Sequence, residues 1–130
     1  NGSLSALSIF YKLNPATGGL QYAYAAPLVE SPGVAQLSQF NTFIGHSNRI
    51  ELVNSTAGAM TAQVTFFDYL GANVLNTNVV IAPKQTIQLD TKALPVNSYG
   101  TFTVQAGAAG IIVRNYVSRP GEYTVPYLGE

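Results

Sequence analysis

The sequence predicts an all-β protein, an antiparallel β-sandwich of about nine or ten short strands. Three observations carry that expectation. Apolar and polar residues alternate with period two along most of the chain. Gly, Pro and Asn cluster at regular intervals between these segments. No segment repeats apolar residues at the i, i+3, i+4 spacing of an amphipathic helix.

The elements follow in chain order. In segment 4–13, Leu4, Ala6, Ser8 and Phe10 alternate with Ser5, Leu7, Ile9, Tyr11 and Leu13. Both sets carry apolar groups, so this strand is expected to be covered on both faces. Asn14-Pro15-Ala16-Thr17-Gly18-Gly19 is a turn, and 20–28 returns with Tyr22 and Tyr24 two residues apart. Ser31-Pro32-Gly33 closes that unit before a strand at 34–44. Segment 60–67 sets Met60, Ala62, Val64 and Phe66 against Thr61, Gln63 and Thr65, which places the first set on a core face. Asp68-Tyr69-Leu70-Gly71-Ala72-Asn73 reads as a hairpin turn, with Gly71 free to take a positive φ. The return strand is 74–81, and Ala82-Pro83-Lys84 breaks it. In 84–89, Ile87 and Leu89 point inward while Thr86, Gln88 and Asp90 point outward. Leu94-Pro95-Val96-Asn97 is a loop. Segments 101–104 and 110–117 form a last hairpin turned by Gly107-Ala108-Ala109-Gly110.

With 130 residues the chain is expected to form a single domain, 1–130, large enough to bury a sizeable core. A second reading of 1–30 comes from an internal likeness. Tyr11, Pro15, Tyr24 and Pro27 have counterparts in Tyr116, Pro120, Tyr123 and Pro126, each set followed by a Glu (Glu30, Glu130). Either β-hairpins of this composition coincide, or 1–30 is the terminal hairpin of a preceding copy in a tandem repeat.

Residues 50–90 carry a resemblance. Ile50-Glu51-Leu52-Val53-Asn54, then Gln63-Val64-Thr65-Phe66-Phe67-Asp68-Tyr69-Leu70-Gly71, then Val79-Val80-Ile81-Ala82-Pro83-Lys84-Gln85-Thr86-Ile87-Gln88-Leu89-Asp90 are similar to the Ig-like β-sandwich modules of exported and cell-surface bacterial proteins. The shared motifs are structural: a strand pair, a Gly turn and a Pro-bounded loop. The resemblance implies a spacer, an adhesin part or a glycan-binding unit, and fold alone does not choose among them.

Composition narrows the function classes. Charged residues make up only 9% of the chain, against roughly a quarter in an average domain. Six Lys and Arg balance six Asp and Glu, so no basic surplus is available for nucleic acid. No apolar run reaches the roughly 18 residues a membrane-spanning helix needs. The start Asn1-Gly2-Ser3-Leu4 lacks a signal-peptide pattern, as expected of a mature or excised fragment. Cys is absent, which removes disulfides and thiolate metal sites. Low charge and abundant Thr, Asn, Gln and Ser fit an extracellular or cell-surface bacterial module.

No constellation for catalysis stands out. The single His46 lies in a polar loop, with no Gly-x-Ser-x-Gly elbow to supply a nucleophile. Asp68, Asp90, Glu51 and Glu122 are dispersed and lack the spacing of a calcium loop, so they are expected to cap turns and keep edges soluble. The chain is therefore expected to be non-catalytic, with no cofactor and no metal. Asn54-Ser55-Thr56 and Asn1-Gly2-Ser3 match the glycosylation pattern.

Two binding classes remain. The main expectation is a structural or adhesive module that contacts neighbouring modules, a second protomer, or a host or prey surface protein. Its neutral surface, rich in Tyr, Thr and Ala, lacks a charge barrier to association, including homo-oligomerisation. The alternative is a carbohydrate-binding module, with Tyr22, Tyr24, Tyr99, Tyr116, Tyr123 and Tyr127 as stacking platforms and Arg114 and Arg119 bonding hydroxyls.

Overall fold

The computed structural model describes residues 7–27, 33–119 and 123–128. These form ten strands and one 3-10 turn (Phe43–Gly45), with no α-helix among the described residues. The strands are β1 (Leu7–Leu13), β2 (Leu20–Pro27), β3 (Ala35–Asn41), β4 (Ser47–Asn54), β5 (Met60–Asp68), β6 (Asn73–Ile81), β7 (Thr86–Gln88), β8 (Tyr99–Ala106), β9 (Ile111–Arg119) and β10 (Tyr123–Leu128). Two four-stranded antiparallel sheets, ordered β10-β9-β4-β7 and β3-β8-β5-β6, enclose the core, while β1 and β2 pair with each other. The all-β sandwich expected from the alternation is thus the architecture found.

Alternation decides the burial. On β5, Met60, Ala62, Val64 and Phe66 are buried while Thr61 and Gln63 are exposed. Phe66 lies opposite Phe102 of β8, their ring centroids 5.1 Å apart, and Phe40 of β3 meets Phe66 edge-on at 5.7 Å. From the other sheet Ile50, Leu52, Ile111 and Val113 complete this layer. Each such side chain contributes about 2 kcal/mol through the apolar surface removed from water. The hairpin after β5 forms as expected: Gly71 has φ of 84°, and the Asp68 carboxylate accepts the N–H groups of Leu70 and Ala72 at 2.9 Å.

Two expectations are corrected. Segments 101–104 and 110–117 do not make a hairpin, because β8 and β9 belong to opposite sheets. Residues 107–110 arch across the end of the sandwich instead, pinned by the Gly110 N–H to the Gly33 carbonyl at 3.0 Å and the Ser55 N–H to the Gly110 carbonyl at 2.9 Å. A short Gly-rich connection serves an arch as well as a hairpin, and only the side-chain content of the strands it joins decides which. The first strand is not covered on both faces either: Ile9, Tyr11 and Leu13 are exposed.

The arch leaves β3 and β9 facing each other across the open edge of the sandwich, and asparagine amides close that edge. Asn48, projecting inward from β4, accepts the Asn41 N–H at 3.0 Å and donates to the Asn41 carbonyl at 2.8 Å, as a neighbouring strand would. Two residues back along β3, Asn115 of β9 donates to the Gln39 carbonyl. A third buried amide, Asn54, donates to the carbonyls of Gly58, Ile81 and Ala82 and accepts the Thr56 N–H. Asn54 is fully buried, so the Asn54-Ser55-Thr56 triplet is closed to a glycan in the folded chain.

Two substitutions test this account by urea denaturation. Asn54→Ala removes the amide that bonds the Gly58, Ile81 and Ala82 carbonyls and the Thr56 N–H inside the fold, and should destabilise it by about 3 kcal/mol. Gly100→Ala should cost a similar amount, about 3 kcal/mol, because a Cβ there would collide with the Phe67 carbonyl oxygen of the paired strand.

Candidate functional site

One end of the sandwich collects the connections β3–β4 (42–46), β5–β6 (69–72) and β7–β8 (89–98). The first and third are strapped together. The Thr42 hydroxyl donates to the Pro95 carbonyl at 2.6 Å and accepts the Ser98 N–H at 3.0 Å, and the Thr42 N–H bonds the Ser98 carbonyl at 2.7 Å. Beside this strap Ile44 is held at φ 52°, ψ 41°, a left-handed conformation that a β-branched residue avoids. Its N–H faces the Asn97 side-chain oxygen at 3.3 Å, and Asn97 is itself at φ 50°. Asp68 holds the neighbouring turn so that Tyr69 and Leu70 project, and the Tyr69 ring stacks on Tyr99 with centroids 5.1 Å apart.

The result is an end carrying six large apolar side chains in water. Val96 is 85% exposed, Leu70 77%, Tyr69 63%, Ile44 58%, Tyr99 50% and Phe43 47%. Between the strapped loops lies a shallow depression of about 470 Å³, lined by residues that include His46, Thr91, Lys92 and Asn97. His46 Nδ1 is engaged with the Phe43 carbonyl. The acids nearby work locally: the Asp90 carboxylate accepts the Lys92 N–H at 3.0 Å, as Asp68 does for its own turn. Among the described residues no three His, Cys, Asp or Glu side chains converge on a point where a metal ion would sit. Glu122 lies outside the described residues.

The two outer sheet faces differ in charge. On β3-β8-β5-β6, cross-strand rows run Ala35–Gln105–Gln63–Asn78 and Leu37–Thr103–Thr65–Asn76, a face of amides and hydroxyls without a charge. The other sheet carries Arg49, Glu51 and Arg114, with the Arg49–Glu51 ion pair at 2.6 Å. Tyr116 lies under Arg49, whose guanidinium carbon is 5.9 Å from the ring centroid.

Of the residues expected to bind sugars, Tyr99 lies apart on β8, while Arg114, Tyr116 and Arg119 are on β9, next to β10. Tyr99 is exposed at the loop end, whereas Tyr116 is only 6% exposed and sits in the opposite sheet. Burial removes Tyr116 as a stacking platform. Arg114 is half-buried opposite Glu51, and Arg119 is half-buried at the end of β9. Tyr22 and Tyr24 lie on β2, and Tyr123 and Tyr127 on β10, with their side chains outside the described set. Sequence reasoning missed Phe43, Ile44, Tyr69, Leu70 and Val96. The signal was present: large apolar residues directly beside Gly45, Gly71 and Pro95, where loops are ordinarily polar.

Compared with protein-family models, with curated proteins and with solved structures, the chain matches none of them.

Burial first, and Glu51 second, push the Tyr116 phenol above its ordinary value, against the opposing pull of Arg114 and Arg49. Folding therefore favours the protonated phenol. The stability tied to it is complete below the unfolded tyrosine value of about 10 and is lost as pH rises through the higher folded value. Tyr116→Phe should accordingly lose less stability than the parent between about pH 8 and about pH 11. Urea midpoints measured across that range check this.

Proposed function

We propose that this chain is a non-catalytic contact module of a larger extracellular or cell-surface protein, and that it binds a protein partner through its loop end. The observation that carries the reading is the exposed apolar cluster of Phe43, Ile44, Tyr69, Leu70, Val96 and Tyr99 on loops strapped to a rigid sandwich. Monomeric surfaces rarely leave such residues contiguous unless something covers them. Aromatic and branched side chains on stiff loops are the anchors from which protein interfaces draw most of their energy. The backbone at Ile44 points the same way. A β-branched residue in the left-handed region costs about 1–3 kcal/mol, and here it displays an isoleucine side chain to solvent.

An Ig-like module is part of this reading, and the topology supports it in its centre. The pairs β4–β7 and β5–β8 are arranged like the B–E and C–F pairs of an Ig sandwich. It departs at the ends, where the first sandwich strand β3 joins β8 and β9 joins β4, each the opposite sheet from the Ig arrangement. Glycan binding is the second reading, favoured by the uncharged Gln, Thr and Asn face with the stacked Tyr69–Tyr99 pair at its rim.

Adhesion of chain-coated beads to cultured epithelial cells tests both. The triple substitution Phe43→Ser, Val96→Ser, Tyr99→Ser should reduce adhesion at least tenfold with the melting temperature little changed, since all three side chains are exposed. Unaltered adhesion by that variant would refute the loop end as the contact surface. Competition by a neutral oligosaccharide would transfer the function to the glycan reading. Separately, Ile44→Asn should raise stability by about 1 kcal/mol, because asparagine tolerates the left-handed backbone, while weakening adhesion. Equal or lower stability would mean that no strain is held there.

A further inference from the structure

An unprotected sheet edge is a template for another strand, and proteins normally blunt it with charge, proline, a bulge or a cover. The two four-stranded sheets have four edge strands. β10 runs beside β2, β7 is three residues long, and the free side of β3 is taken up at Asn41 and Gln39 by asparagine amides. β6 differs from all three. It is nine residues long and pairs in its sheet only with β5; the Asn54 amide bonds the carbonyl of its last residue, Ile81, and along the rest no strand among the described residues pairs with its other side. From Tyr69 to Pro83 the chain has no charged residue, and its proline lies beyond the strand. A bulge at Val74, between Asn73 and Leu75, irregularises only the start, and Leu75 to Ile81 is in unbroken register with β5.

The exposed edge is also close to a palindrome. Leu75-Asn76-Thr77-Asn78-Val79 reads nearly the same in both directions about Thr77. We propose that β6 pairs antiparallel with β6 of a second copy of this chain, about a two-fold axis through Thr77, joining two sandwiches by a continuous eight-stranded sheet.

That register sets Asn76 against Asn78 of the other copy, Thr77 against Thr77, and Leu75 against Val79. It matches both faces at once. Asn76 and Asn78 are exposed on the outer face, where side-chain amides pair across strands. Leu75 and Val79 are half-buried against the core and would extend it across the junction. A slip of two residues in either direction sets Thr77 against an apolar residue and breaks up the Asn76–Asn78 pairing, so the sequence favours one register. Zero net charge on the chain and on the strand leaves no electrostatic barrier between identical copies. An isologous contact of this kind closes at two copies and does not run on into a fibre. Because the paired strands are antiparallel, the two loop ends point in opposite directions, and the dimer offers contact surfaces at both ends.

Sedimentation equilibrium over about 10 µM to about 1 mM, the affinity range of a small edge contact, tests the proposal. The parent chain should pass from monomer to dimer. The double substitution Asn76→Lys, Asn78→Lys should weaken association at least tenfold by placing lysines opposite each other, with folding checked by circular dichroism. Mixing it with the Asn76→Asp, Asn78→Asp protein at low salt should restore a one-to-one dimer. Concentration-dependent amide shifts in the NMR spectrum of the parent chain should centre on β6, a readout independent of any variant. A parent that stays monomeric at the highest concentration, a lysine variant that associates unchanged, or shifts located elsewhere would each overturn it.

Discussion

The sandwich depends on side-chain amides standing in for backbone. Two sheets closed by an arch leave strand edges inside the protein, where an unpaired N–H or C=O costs about as much as a lost hydrogen bond. Asn48 meets both groups of Asn41, Asn115 meets the carbonyl of Gln39, and Asn54 ties three carbonyls where β4 and β6 end and β5 begins. An asparagine carries a donor and an acceptor on one short, stiff arm, in the planar amide geometry of a peptide unit, which neither an apolar side chain nor a single hydroxyl reproduces. The arrangement is not fully satisfied. Gln36 Oε1, Ser38 Oγ and Asn115 Oδ1 are buried along the same edge without hydrogen-bond partners among the described residues. The interior of this strip is therefore the least stabilising part of the core, and the aromatic layer of Phe40, Phe66 and Phe102 lies directly beside it.

Much of this was legible in the residues, and what was not has physical reasons. The core face of β5 and the Gly71 turn could be read directly, because period-two alternation and a positive φ each leave an unambiguous residue pattern. The number of strands and the loop at Leu94 were likewise visible. The sheet to which β9 belongs was not. Hairpin and arch use the same four residues, and the partner of β9 is β4, more than fifty residues earlier. Inward-facing polar residues such as Gln36, Ser38 and Asn115 also break the alternation that reading relies on. Tyr116 was misplaced for the converse reason: it lies on the outer side of its sheet and is nonetheless buried. The loop-end cluster was missed because exposed apolar residues beside Gly and Pro look like the ends of strands.

Rigidity and display are coupled here. The strap of Thr42 to Pro95 and Ser98 makes two loops, each crossing from one sheet to the other, behave as one piece. Left-handed Ile44 and Asn97 sit on either side of it. A loop fixed in this way loses little conformational freedom on meeting a partner, so more of the contact energy appears as affinity. The uncharged outer face of β3-β8-β5-β6 complements this, since it neither repels nor steers a particular partner by long-range fields.

The arch between β8 and β9 has a consequence for how the chain is made. β3 finds its sheet only when β8 has been synthesised, and until β9 follows, β4 has just the three residues of β7 beside it. As the polypeptide leaves the ribosome, its earlier strands therefore have no complete sheet to join, and the layer between Ile50, Leu52 and Phe66 stays unassembled. Long-range pairing of this kind slows folding, and it keeps the neutral stretch around Thr77 accessible throughout that interval. Nascent copies on one polysome would carry this stretch uncovered side by side before any of them is finished.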